Sequence, residues 1–134
     1  MTKPKTLEEG ILYGMGLGLY WGEGQKRGDG GMRITNSDPK LLRKFIDFLD
    51  NFLNIDKSRL RFSIQIPIDV SPNKALKYWS KELNFNEKYF YNPQIIKVRG
   101  NGSYKYKTQF GTVIVYLNNI RLKKLICDLI ENIQ

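Results

Sequence analysis

Residues 10–24 read GILYGMGLGLYWGEG, an apolar run without charge up to its one acid, Glu23. The apolar side chains of this run point all round a helix rather than to one side. This pattern predicts a helix over about 8–22 that is buried on every side. Gly24 is expected to end this helix, because glycine is the commonest residue just beyond a helix C-terminus.

Three glycines recur every four residues in this segment and form one stripe of the predicted helix: Gly14, Gly18 and Gly22. Each glycine in a helix interior costs about 1 kcal/mol relative to alanine. A compensating gain is therefore expected, and close backbone approach by a second helix supplies one. The second helix belongs either to the same chain or to another copy. Because the sequence has no second glycine stripe, self-association about a two-fold axis is favoured.

Glu23 directly follows the stripe, at a helix C-terminus where the macrodipole disfavours an anion by about 0.3–1 kcal/mol. Two-fold packing of the stripe would also bring two such carboxylates together. A divalent cation such as Mg²⁺ would offset both penalties, because hard cations prefer carboxylate oxygens. The alternative is an exposed glutamate at a frayed helix end.

The composition excludes several classes of enzyme and metal site. The 134 residues include 22 Lys plus Arg, 13 Asp plus Glu and no histidine, for a formal charge of +9. Ser-His-Asp and Cys-His catalysis and imidazole zinc sites are excluded. No dinucleotide or phosphate-loop motif occurs, so no small-molecule cofactor is expected. With no signal peptide and no apolar run long enough to span a membrane, a cytoplasmic protein is expected, and its charge favours nucleic acid as the partner.

The remaining segments predict a single mixed α+β domain with the order αβαβαββα and helices on one face of the sheet. Asp38-Pro39 and Ser71-Pro72 are helix starts, and Asn118 or Asn119 caps the last helix. The last two strands are expected to form a hairpin with a basic tip. The other predicted segments are a strand at 32–35, a helix at 39–54, an alternating strand at 59–68, strands at 95–99 and 110–117, and a helix from about 120.

Residues 16–24, GLGLYWGEG, resemble the nine-residue motif of the LAGLIDADG homing endonucleases. The match is best at Gly18, Leu19, Gly22, Glu23 and Gly24. The resemblance implies a saddle-shaped antiparallel sheet that lies on double-stranded DNA, motif helices packed at the centre of a homodimer, and Glu23 as the ligand of a catalytic divalent metal. Two features depart from the family. Only a glycine-rich turn separates Glu23 from Met32, where the family has a long DNA-reading hairpin, and the acid is Glu rather than the commoner Asp.

Candidate DNA-contacting residues follow from charge and strand parity, because arginine and glutamine can make bidentate contacts with guanine and adenine. An ordinary solvated sheet face is the alternative. Lys26 is expected to assist catalysis at the scissile phosphate and Arg27 to hold that phosphate. The other predicted DNA contacts are Arg33, Thr35, Arg59, Arg61, Ser63, Gln65, Lys97, Arg99, Lys105 and Lys107.

Three functions remain open from the sequence. The first is a homodimeric, magnesium-dependent, site-specific DNA endonuclease. The second is a DNA-binding protein or transcription regulator with the same domain but without cleavage, which the shortened first hairpin favours. The third is a basic structural or RNA-associated protein.

Overall fold

The computed structural model describes residues 2–28, 30–96 and 110–133. The predicted order αβαβαββα is confirmed, and the chain forms a mixed α+β domain. No helix within the described ranges is long and apolar enough to cross a membrane. The elements are α1 (Leu7–Glu23), β1 (Met32–Asn36), α2 (Pro39–Leu53), β2 (Arg61–Ile66), α3 (Pro72–Leu83), β3 (Gln94–Ile95), β4 (Thr112–Leu117) and α4 (Ile120–Ile133), with short 3-10 turns at Lys57–Arg59 and Glu87–Tyr89.

The predicted helix starts are confirmed. The Asp38 carboxylate accepts a hydrogen bond from the Lys40 amide at 2.9 Å, and Pro39 occupies the first helical turn of α2. Ser71 caps α3 in the same way, and Asn119 rather than Asn118 caps α4. These caps satisfy amides that have no partner within the helix, which is why the sequence signals are reliable here.

Within the described residues, the sheet has four strands in the order β1-β4-β2-β3. β4 pairs antiparallel with β1 and with β2, whereas β3 pairs parallel to β2. The prediction of a wholly antiparallel sheet is therefore wrong at β3. α3 and the following turn carry the chain back across the sheet, so that β3 runs in the same direction as β2.

The hairpin predicted from strands at 95–99 and 110–117 is wrong for the part that the structure describes. Gln94–Ile95 pairs with Gln65–Ile66, so β2 lies between β3 and β4. The remaining predicted tip falls within 97–109, outside the described residues.

Alternate residues of each strand face a core to which all four helices contribute. The helices therefore cover one face of the sheet. α2 supplies three phenylalanines to this core, Phe45, Phe48 and Phe52, whose rings pack on Tyr13 and Tyr20 of α1. The buried strand residues are Met32, Ile34, Phe62, Ile64, Ile66, Val113, Val115 and Leu117.

α1 is buried along one side only, at Gly16, Leu17 and Tyr20. A Cβ at Gly16 would overlap the Phe48 ring, so this glycine permits the close approach of α1 to α2. Within the described chain, the prediction of a helix buried on every side is wrong. α2 and α4 cover only the inner side of α1.

Candidate functional site

The glycine stripe of α1 lies on the open side of the helix. A Cβ built at Gly14, Gly18 or Gly22 would meet no other atom within 4 Å in the described chain. Packing of this stripe against another element of the same described chain is therefore excluded. Apolar side chains flank it: Ile11 is 54% exposed, Met15 42% and Trp21 51%. Packing against a second copy stays a prediction.

Glu23 is the last residue of α1, and its side chain is exposed. Gly24 follows in an extended conformation and forms a bridge with Ile34 of β1. The Gln25 amide then donates to the Arg33 carbonyl at 2.9 Å. Glu23 therefore stands where α1 joins the edge of the sheet.

Lys26 folds back on the end of α1. Its Nζ donates to the Trp21 carbonyl at 2.6 Å and to the Gly24 carbonyl at 3.1 Å. The ammonium group thus offsets the partial negative charge of the helix C-terminus beside Glu23, a stabilising neighbour that the sequence pattern did not reveal. The catalytic role expected for Lys26 stays a prediction, and Arg27 is exposed beside it.

Tyr20 fixes the chain just after the acid. Its side chain is fully buried, its ring stacks on Phe45 at a centroid distance of 5.8 Å, and its hydroxyl donates to the Gln25 carbonyl. Burial raises the pKa of this phenol to about 12. A Cβ at Gly24 would overlap the same ring, so glycine is required there by close contact.

Lys123 fixes the glycine-rich turn from the opposite side. Only 3% of this residue is exposed, and its Nζ donates to the carbonyls of Arg27 at 2.9 Å, Gly28 at 3.2 Å and Gly30 at 3.3 Å. Sequence reasoning missed this residue. The available signal was a lysine three residues before Ile126, on the buried side of α4.

The open face of the sheet carries a row of cationic and aromatic side chains. Arg33, Tyr116 and Arg61 are cross-strand neighbours on β1, β4 and β2, and together they are called the cationic row. The Arg33 guanidinium carbon lies 4.8 Å from the Tyr116 ring centroid. The row borders a depression of about 400 Å³, which Tyr91 also lines. Tyr116 and Tyr91 were not among the predicted DNA contacts. Tyr116 is one of the alternate residues of β4 whose side chains point to the open face of the sheet.

The next row on the open face is less accessible. Thr35 is exposed, but Ser63, beside Ile114, is only 5% exposed, so the prediction of a wet strand face is wrong at Ser63. Its short side chain lies below the longer neighbours of the central strands. Gln65 is half-buried opposite Thr112.

The other predicted contacts divide into two groups. Arg59 lies in the 3-10 turn before β2 rather than on the strand, and its guanidinium donates to the Asn118 carbonyl at 2.9 Å while lining the same depression. Lys97, Arg99, Lys105 and Lys107 lie outside the described residues.

A metal site within one copy is not built into the described ranges. They contain no group of three or more His, Cys, Asp or Glu residues placed to hold an ion. Among the described residues at the end of the stripe, Glu23 offers an exposed, hard oxygen donor.

Comparison with known proteins does not assign the chain to a family. No protein-family model matches it, and no curated protein matches its sequence.

Proposed function

We propose that the protein is a homodimeric, LAGLIDADG-type DNA endonuclease. The observation that carries this proposal is an open glycine stripe ending at an exposed acid. Each replacement of a stripe glycine by alanine would stabilise an isolated helix by about 1 kcal/mol. Three glycines that touch nothing in the described chain are explained if a second α1 packs on them at close distance.

The surface around the stripe supports the same packing. Ile11, Met15 and Trp21 leave between 42% and 54% of their surface exposed on the open side of α1. Contiguous exposed apolar surface of this kind commonly marks an interaction site. Two copies related by a two-fold axis would cover it and bring the two Glu23 side chains to one seam.

The cationic row supports DNA as the ligand. Arg33 and Arg61 stand on the face of the sheet that no helix covers, and Arg59 lines the same depression. In the proposal, this face is the saddle that lies on the duplex, with Thr35 and Gln65 beside the arginines. Phosphate contacts would position the protein, and arginine contacts with guanine would read sequence.

The two Glu23 carboxylates would hold the divalent metal, since each chain offers one exposed acid at this place. When bound, Mg²⁺ would supply Lewis-acid catalysis of phosphodiester hydrolysis. Lys26 would keep the end of α1 fixed through the Trp21 and Gly24 carbonyls. Arg27 would hold the phosphate beside the acid.

A second candidate is a DNA-binding protein without cleavage. The connection from Glu23 to β1 is short, and Gly24 already bridges Ile34, so the described part of this connection contains no long DNA-reading ribbon. A site read by the cationic row alone would be shorter, as suits a regulator more than an enzyme that must find a rare target.

The decisive experiment uses the purified chain and a duplex selected by it from a random-sequence library. The proposal expects a dimer in sedimentation velocity and magnesium-dependent linearisation of a plasmid carrying the selected site. Glu23→Gln should bind that duplex while cutting is lost. Glu8→Gln, at the other end of α1, is the matched control and should cut normally.

The other outcomes separate the candidates. Undiminished cutting by Glu23→Gln contradicts the assigned role of the acid. Selective duplex binding without cutting by the wild type favours the second candidate. Preference for structured RNA over any duplex contradicts both.

A further inference from the structure

A second cationic surface lies beside the cationic row, away from the glycine stripe. It is a groove of about 710 Å³ between α2 and the turns that follow α2 and α3, and it is called the α2 groove. Lys40, Arg43 and Lys44 line it from α2, and Lys57 lines it from the turn before β2. Asp47 is the one acid among the lining residues in the described part of the chain.

Two of these cations are unneutralised within the described residues. Arg43 pairs with Glu82 at 3.8 Å, and Lys57 pairs with Asp50 at 3.5 Å. Lys40 and Lys44 have no ion pair in the described ranges, although they stand one helical turn apart, where like charges destabilise a helix. An anion between them would remove that repulsion.

The α2 groove begins where the cationic row ends. The Arg61 guanidinium donates to the Ser58 carbonyl at 2.7 Å and lies 5.3 Å from the Tyr89 ring centroid. Ser58 and Tyr89 both line the groove. Arg61 therefore joins the cationic row to the α2 groove.

The groove would remain open in the proposed dimer. α1 meets α2 through Gly16, which lies against the Phe48 ring, whereas the glycine stripe is on the open side of α1. Lys40 and Lys44 are exposed on α2. A second α1 on the glycine stripe would therefore leave the groove accessible.

We infer that the α2 groove binds the phosphodiester backbone of the DNA segment that flanks the duplex on the sheet. This inference rests on the proposed function. Lys40 and Lys44 are exposed at the groove, whereas the apolar side chains Ile46 and Leu83 are nearly covered, so an anionic backbone matches the charge that the groove presents. The Arg61 guanidinium carbon and the Lys88 Nζ each lie 5.3 Å from the Tyr89 ring centroid, which adds positive charge at this end of the groove. Lysine ammonium groups contact phosphates as point charges. The contact is therefore independent of sequence.

The test compares two duplexes with the same selected centre, one that ends at the sheet and one with added flanks. Lys40→Gln/Lys44→Gln should weaken binding of the long duplex roughly tenfold near 0.1 M salt and lower its log-log salt slope by about 1.8, since each phosphate contact contributes about 0.9. Binding of the short duplex should not change. Lys77→Gln/Lys81→Gln, with the same spacing on the exposed side of α3, is the matched control.

Equal effects of the two double variants, or equal losses on both duplexes, would overturn the inference and leave the proposed function standing. Chemical-shift changes at Lys40 and Lys44 with inorganic phosphate, but no preference for the long duplex, would identify a small-anion site and also overturn it. If the wild type binds neither duplex, the proposed function fails first and the inference falls with it.

Discussion

The Lys123 ammonium lies 2.9 Å from the Arg27 carbonyl, across 96 positions of the chain. It joins α4 to the turn that follows Glu23, and the carbonyls of Gly28 and Gly30 accept from the same nitrogen. A buried ammonium is stable only when its hydrogen bonds are satisfied, so the turn and the lysine depend on each other.

Lys123→Met should lower the free energy of unfolding by about 1–3 kcal/mol, because it removes charge-assisted hydrogen bonds and frees the turn. Urea unfolding measures this loss. Lys124→Met, its exposed neighbour on α4, should change the free energy by less than about 0.5 kcal/mol. Similar values for the two variants would contradict the structural role of Lys123.

The same substitution should have opposite effects at two glycines of α1. Gly16→Ala should destabilise the monomer by about 1–3 kcal/mol, because its Cβ would overlap the Phe48 ring. Gly18→Ala should stabilise the monomer by up to about 1 kcal/mol, because its Cβ meets nothing within 4 Å. Denaturation at a concentration too low for association measures both effects.

At higher concentration, Gly18→Ala should weaken self-association about tenfold or more, since an added methyl group separates two closely packed backbones. Sedimentation velocity over a concentration series is the measurement. A wild type that stays monomeric throughout, or an alanine variant that associates equally well, would contradict packing of the stripe against a second copy.

Tyr20 should make stability depend on high pH. The pKa of its phenol is 10.0 in the unfolded chain and about 12 in the folded protein. The preference of the folded state for the neutral phenol therefore stabilises the fold fully below pH 10. This contribution to the free energy of unfolding, about 2–3 kcal/mol, is lost as the pH rises through 12. In Tyr20→Phe, the free energy of unfolding should not show this fall at high pH. At pH 7 the variant should be less stable than wild type by about 1 kcal/mol, because it lacks the hydrogen bond to the Gln25 carbonyl. Parallel pH profiles for the two proteins would contradict the burial effect.

Arg33→Gln should weaken duplex binding and lower the log-log salt slope by about 0.9 if the arginine contacts a phosphate. If it reads a base instead, discrimination at one position of the site should fall, at a cost of about 1–3 kcal/mol. Fluorescence anisotropy over a salt series distinguishes these results. Arg121→Gln, exposed on α4, is the control, and an equal effect there would contradict the role of the open face.

Local signals predicted most of the fold. Asp38-Pro39 and Ser71-Pro72 specify helix starts through contacts within one turn, and alternation placed β2 and β4 to within a few residues. The partner of β3 was missed because strand pairing depends on how the intervening α3 crosses the sheet, which no local pattern encodes.

The candidate site was predictable only in part. The four-residue spacing of the glycines predicted the stripe, and Glu23 follows it directly in the sequence. The side of α1 that stays open, however, depends on where α2 and α4 pack. Lys123 was missed because its three acceptors are backbone carbonyls, which leave no trace in residue types. Burial of Ser63 likewise follows from the height of neighbouring side chains in a folded sheet.

The single bridge between Gly24 and Ile34 has a mechanical consequence. Because the Gln25 amide is bonded to the Arg33 carbonyl, the main chain just beyond Glu23 is tethered to the residue that begins the cationic row. A displacement of the Arg33 main chain within β1 would therefore move the chain two residues beyond Glu23. The positions of the acid and of the first residue of the cationic row are held by the same backbone contact.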